Sequence, residues 1–320
     1  MTYTAQLEIQ SSLSDEEAPP SYLISKPNAL LENVENYMLE VLKGDSEIVI
    51  ADSAVLNEAI EYHLRSGGQR LRARLALSAG QALGLSEEDS ITIASAVELI
   101  HNASLIHDDL QDGDQYRRSH ESVWSKFGSN AAICCGDFYL STAYACLAGI
   151  SNTRVLPKMI QIMHQRIAEA SYGQSADLTI TAEQLTLETY LEVVMAKSGA
   201  LLSLPLELVL LLAGHNQARP LAHQACKDFA VGFQIFDDLR DLATDSRSVE
   251  DGGDRLNIIA IFEHSSYGMD ISDDPIQAAK EVAIQHLKRS ELSLVQLPSQ
   301  AGSLLKECTE NIASLVRAIH

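Results

Sequence analysis

Two short acidic patterns stand out in this 320-residue chain. His107-Asp108-Asp109-Leu110-Gln111-Asp112 and Phe236-Asp237-Asp238-Leu239-Arg240-Asp241 each contain DDxxD. Twenty Asp in the chain give one in 16, so roughly 0.08 copies are expected by composition alone, and two are improbable at about 0.003. In a helix, Asp108 and Asp112 lie about 40° apart on one face, one turn from each other, and Asp237 and Asp241 do the same. The residues leading to them are apolar or small: Ile93, Val97, Ile100 and Ser104 before Asp108, and Phe229 and Phe233 before Asp237. The carboxylates therefore continue a core-facing line, where a solvated acidic face would lie opposite it. Six inward carboxylates repel one another unless cations intervene. Mg²⁺ takes oxygen ligands and bridges carboxylates to phosphates, and three such ions balance six charges. The expected ligand is a diphosphate held between two helices, with metal stabilising its charge as it leaves.

Counter-charges lie nearby in sequence. Gly67-Gly68-Gln69-Arg70-Leu71-Arg72 sets two Arg just after a Gly pair, and Arg117 and Arg118 follow the first motif. Arg forks suit bidentate phosphate binding. Lys197 is a lone cation in an apolar stretch, and His101 precedes Asp108 by two helical turns on nearly the same face.

The elements that must carry these residues read as helices. From about Asn28 onward Ala, Leu, Glu, Gln and Ile dominate, with apolar residues at three- and four-residue spacing. The first motif ends a helix from about Glu87 to Leu110; the second lies in one from about Leu221 to Leu242. Gly and Pro breaks divide the chain into roughly ten or more helices. Alternating strand-like runs are scarce. The expected architecture is all-α: one large helical bundle around a central cavity, residues 28–320, preceded by a loosely ordered polar extension, residues 1–27.

Composition sets outer bounds. Lys plus Arg is 23 against Asp plus Glu 44, a formal charge of −21. That sign argues against broad binding to nucleic acid or an anionic membrane, while leaving room for a locally basic pocket. The most apolar stretch, Ala200 to Gly214, reads as too short for stable membrane insertion. Five cysteines without zinc spacing, two of them adjacent, fit a reducing compartment. With no basic and apolar leader at Met1, a cytoplasmic location is expected.

Taken in order, GGQRLR, LIHNASLIHDDLQD, the Arg117-Arg118 pair, AICCGDFYL, AKSG and GFQIFDDLRD resemble the trans-isoprenyl diphosphate synthases, or polyprenyl synthetases, of the geranylgeranyl-diphosphate-synthase-like kind. The resemblance runs from about Gly67 to Asp254. It implies an all-α fold, usually a homodimer, and Mg²⁺-dependent transfer of an allylic group onto isopentenyl diphosphate. It implies Asp108, Asp109, Asp112 and Asp237 as metal ligands, with Asp238 and Asp241 as ligand or outer shell. Arg117, Lys197 and Ser198 would hold the allylic diphosphate. Arg72, His101 and Arg118, with Gln69, would hold isopentenyl diphosphate, and Gln234 would sit near the allylic group. The departing diphosphate would take the final proton.

Three departures from the family pattern stand out. Gln69 stands where Lys is usual, Ser198 and Ser119 replace Thr and Gly, and Arg255 is the only cation in the stretch Asp251–Asn257, where further lysines are usual. A terpene-cyclase-like relative that ionises a prenyl diphosphate, or a regulatory subunit without catalysis, remain alternatives. Helical HD phosphohydrolases leave the second DDxxD unexplained, and a di-iron bundle would need a partner for Glu98-x-x-His101. Small Ala103 and Ser104, one turn before Asp108, leave room for a growing tail, which Ile100 and Val97 would narrow deeper down. The expected product has twenty carbons or more.

Overall fold

The computed structural model describes residues 30–43, 54–181, 184–244, 257–264 and 274–319. The expected extension 1–27 and Arg255 lie outside these residues. Thirteen α-helices occur among the described residues: α1 Leu31–Lys43, α2 Ala54–Arg65, α3 Leu71–Ala82, α4 Glu87–Asp112, α5 Val123–Phe127, α6 Ser129–Cys146, α7 Leu156–Thr179, α8 Leu187–Val194, α9 Ala200–Leu212, α10 Arg219–Thr244, α11 Ile258–His264, α12 Pro275–Leu294 and α13 Ser303–Ala318. The two strands, β1 Tyr116–Arg117 and β2 His120–Glu121, form a small hairpin. The fold is all-α, as the periodicity requires.

Both motif-bearing helices are long. Helix α4 starts where the Ser86 side chain accepts from the amide of Asp89, and Glu87, Glu88 and Asp89 fill its positive end. It stops at Gly113, whose φ of 79° is left-handed. It therefore runs through the whole first motif, two residues beyond the expected end. An inward stripe describes α4 poorly, because every residue from Thr92 to Ile100 is buried. It is the central helix, covered on all sides by α1, α3, α6 and α9.

Helix α9 is buried at every position from Ala200 to Leu211. Glu207 there is fully buried, and the guanidinium groups of Arg166 and Arg219 and the Ser203 hydroxyl compensate it. Between α8 and α9, Met195–Gly199 is a π-helical turn, so Leu187–Leu212 forms one helical run of 26 residues. This run and Ser129–Gly149 are long and apolar enough to cross a membrane. The length argument made on Ala200–Gly214 thus fails, because the helix starts 13 residues earlier. Burial supplies the better one: 78% of the Leu187–Leu212 window is buried in the protein, as in a core helix.

The candidate active site

A cavity of about 380 Å³ lies between α4, α6, α7, the π turn and α9. Helix α4 contributes Ile100, Ala103, Ser104, His107 and Asp108; α7 contributes Ile167, Ala170, Gln174 and Leu178; Leu140, Lys197 and Leu201 close it. Its walls are apolar below and its acidic and cationic groups gather at one end. Val97 is buried elsewhere in the core and does not line the cavity. Three hydroxyls on the walls are turned back to their own helices: Ser104 donates to His101 O, Ser171 to Ile167 O and Thr179 to Ser175 O.

The three aspartates of the first motif have different surroundings. Asp108 faces the cavity, and burial pushes its pKa up to about 6. Asp109 is the buried one, 1% exposed, and Arg117 grips its Oδ1, with Nε at 2.6 Å and Nη2 alongside. Its Oδ2 has no partner. Asp112, at the exposed end of α4, accepts from Gln174 Nε2 at 3.1 Å and lies 3.9 Å from Lys197 Nζ. Lys197 also bonds Asp177 at 2.6 Å.

Gln174 and Asp177 were not among the residues expected from sequence. A glycine followed by Gln174 and, three residues later, Asp177 marks one face of α7, and that face carries the signal. Gly173 lets it approach: a Cβ there would strike the backbone at Ala196 and Lys197. Gly199 does the same on the other side of the π turn, against Lys227 of α10. The backbone bearing Lys197 and half-buried Ser198 is thus squeezed between two helices. Single π turns recur at functional sites because the extra residue re-aims side chains.

A second, basic group forms beside this one. His101 is half-buried with its Nδ1 enclosed, and desolvation, together with the nearby charges of Arg72, Arg118, Arg117 and Arg70, holds its pKa well below the usual imidazole range. His101 Nδ1 and Arg72 Nε are both buried without hydrogen-bond partners. Arg118 donates to Gly67 O, and only a glycine at position 68 leaves room for its guanidinium. The β1–β2 hairpin presents Arg117 and Arg118. Its two-residue turn puts Arg118 and Ser119 at φ of 52° and 63°, a type I′ geometry in which glycine is the unstrained residue at position 119. Arg70 belongs to neither group. It is buried at 4% exposure and engaged with Glu35, Glu98 and Leu64 O, which also occupies the Glu98 of the ExxH pattern. Gln69 is half-buried, and its carbonyl accepts from Arg74.

The second motif departs most from expectation. None of its residues is among those lining the cavity. Asp237 is partly buried, and burial raises its pKa to about 7. Arg240 lies 3.4 Å from both Asp237 and the half-exposed Asp241. Asp238 is 4% exposed and its oxygens are taken: Tyr190 OH donates at 2.8 Å, Gln234 Nε2 at 3.0 Å and the Ile258 amide at 3.0 Å. Gln234 therefore serves Asp238 in this structure, and Asp238 is already saturated by protein donors.

The donors present fit a hard divalent cation. Asp108 and Asp237 offer carboxylate oxygens whose burial leaves the charged form under-compensated, and Asp109 keeps an orphaned oxygen. Among the described residues no three His, Cys, Asp or Glu converge on one point. That suits Mg²⁺, which is typically held by one or two carboxylates and completed by substrate phosphates and water.

The profile of the family described as polyprenyl synthetase matches residues 53–254. A geranylgeranyl diphosphate synthase of Methanosarcina mazei is 31% identical over 218 residues, 67% of each chain. A farnesyl diphosphate synthase of Haemophilus influenzae is 32% identical over 228 residues, 68% of this chain and 77% of that one. Among solved structures, a geranylgeranyl pyrophosphate synthetase from the archaeon Geoglobus acetivorans superposes with a TM-score of 0.74 at 25% identity, covering 88% of this chain and 97% of that one.

Proposed function

The chain belongs to the polyprenyl synthetase family and is a prenyltransferase of isoprenoid biosynthesis; from that premise we propose that it condenses an allylic diphosphate with isopentenyl diphosphate, in a Mg²⁺-dependent reaction, to a trans-prenyl diphosphate of twenty carbons or more. The observation that carries this reading is the pairing of two sites: an acidic cavity end around Asp108, Asp112 and Lys197, and a basic group in which Arg72 and His101 keep unpartnered buried nitrogens. One suits a metal-chelated leaving diphosphate, the other a second diphosphate held by cations alone.

Bound Mg²⁺, three ions in charge terms, would be held by Asp108, Asp112 and Asp237 and would stabilise the negative charge of the leaving diphosphate. Lys197 points its ammonium at the same end and would share that charge. Arg117 holds Asp109 in place, which fixes the motif's register. The apolar walls at Ile100, Leu140, Ile167 and Leu201 exclude water from the allylic cation, and the Ser104, Ser171 and Thr179 hydroxyls on the wall are bonded to backbone. Arg72, His101 and Arg118 would hold isopentenyl diphosphate, with neutral His101 able to donate one hydrogen bond. The final proton would leave on the departing diphosphate.

Retention of the basic group favours condensation over the cyclase-like alternative, which needs no second diphosphate site. Gln69 in place of Lys removes one cation from that site without dismantling it. The product length rests on small Ala103 and Ser104 at the cavity wall. A homodimer through α6 is part of the proposal: less than half of the apolar Ser129–Gly149 run is buried, and Ile133 on it is 47% exposed. A cytoplasmic location accords with five free thiols, and residues 28–320 are taken as one domain. The test is incubation of the full chain with labelled isopentenyl diphosphate and each allylic diphosphate, with Mg²⁺ or with chelator. Elongated product that vanishes with chelator is expected; hydrolysis or cyclisation without incorporation of label would refute the proposal.

A further inference from the structure

Two parts of the site sit on elements far apart in sequence: Lys197 on the α8–π–α9 run, and Asp237 on α10. We propose that the buried hydrogen bond between Tyr190 and Asp238 is the positioning tie that sets these two elements in register, so that Tyr190 and Asp238 act through their neighbours, Asp238 not being a metal ligand. The inference rests on the proposed function, since it assigns Lys197 and Asp237 to one reaction.

The geometry is specific. Tyr190 is fully buried, and its hydroxyl donates to Asp238 Oδ2 at 2.8 Å. The same oxygen accepts from the amide of Ile258, the first residue of α11, at 3.0 Å. Oδ1 accepts from Gln234 Nε2, one turn back on α10. One carboxylate thus joins α8, α10 and α11. Tyr190 stands seven residues, two helical turns, before Lys197 on a continuous helical run, and Asp238 is the immediate neighbour of Asp237. A shift of either helix along its axis breaks the bond, and a buried carboxylate left short of donors is costly. A metal ligand, by contrast, needs an oxygen free to coordinate. The Asp238 oxygens are committed to protein donors.

The test compares Tyr190→Phe, Asp238→Asn and the double variant in the full-length protein, by steady-state kinetics and amide hydrogen exchange. The tie predicts that each single variant lowers kcat by about 10-fold with KM nearly unchanged, and that the double variant is no worse than either. It predicts a Mg²⁺ half-saturation within about 2-fold of wild type and, in Asp238→Asn, faster exchange of the Ile258 amide. Tyr190→Phe keeps the ring and most of its packing, so it reports on the bond even where Asp238→Asn folds poorly. A Mg²⁺ requirement raised about 10-fold or more in Asp238→Asn, with kcat unaffected in Tyr190→Phe, would make Asp238 a metal ligand and overturn the proposal. Additive losses would also overturn it. Should the wild-type chain form no elongated product, the functional reading fails; exchange at Ile258 and non-additive melting shifts in the double variant still decide whether the tie exists.

Discussion

At the scale of single residues, the burial of Asp108 and Asp237 opposes stability. Burial raises both from an unfolded value of 3.8, to about 6 and about 7. A carboxyl with a higher pKa folded than unfolded binds more protons when folded. Its contribution to stability is whole below pH 3.8 and is lost as pH rises through the folded value. The ligand-free protein should therefore lose on the order of 1–3 kcal/mol per group between about pH 5 and pH 8 from these two carboxyls. Asp108→Asn and Asp237→Asn should each flatten that slope in urea titrations and raise stability at pH 8, while reducing turnover by about 100-fold or more. A slope unchanged in both variants would show that the buried charge is compensated after all. The basic group makes a separate prediction. Arg72→Met should raise KM for isopentenyl diphosphate about 10-fold or more and leave KM for the allylic substrate nearly unchanged. Equal effects on both would merge the two sites into one.

At the scale of elements, the helices and their order were readable from three- and four-residue spacing, and α4 and α10 fall within about two residues of expectation. Their orientation was less readable. Periodicity suggested that Asp108 and Asp112 are the inward pair, yet Asp109 is the buried residue, because α4 is surrounded and has no single inward face. The π turn left no compositional mark, although the glycines that admit it, Gly173 and Gly199, were visible only as breaks or small residues. Their role depends on backbone segments more than twenty residues apart along the chain meeting, which no local pattern encodes. Gly173→Ala should therefore disturb Lys197 and lower kcat/KM while leaving the basic group intact. The β1–β2 turn is a position where the chain departs from ideal geometry: Ser119 at φ 63° carries left-handed strain, and Ser119→Gly should stabilise the protein by about 0.5–1 kcal/mol, read as a shift in urea midpoint at constant m-value. The cavity wall gives the last element-scale expectation. Ala103 is 3% exposed and faces the cavity, so Ala103→Phe should shorten the product; unchanged length would remove α4 from chain-length control.

At the scale of the whole molecule, a strongly acidic chain assembles a basic pocket by gathering Arg72, Arg117 and Arg118 from α3 and a hairpin around His101, with Gly68 making the space. The motif residues were legible because they are rare types in fixed order; their partners Gln174, Asp177 and Tyr190 are ordinary residues whose meaning comes only from the fold. What binds the account together is that both acidic motifs serve one diphosphate, although the second contributes nothing to the cavity wall. Calorimetric titration of inorganic pyrophosphate into the protein with Mg²⁺ tests this most directly. The account predicts binding that requires Mg²⁺ and weakens about 10-fold or more in Asp108→Asn and in Asp237→Asn alike. Wild-type affinity in Asp237→Asn, with loss confined to Asp108→Asn, would contradict it.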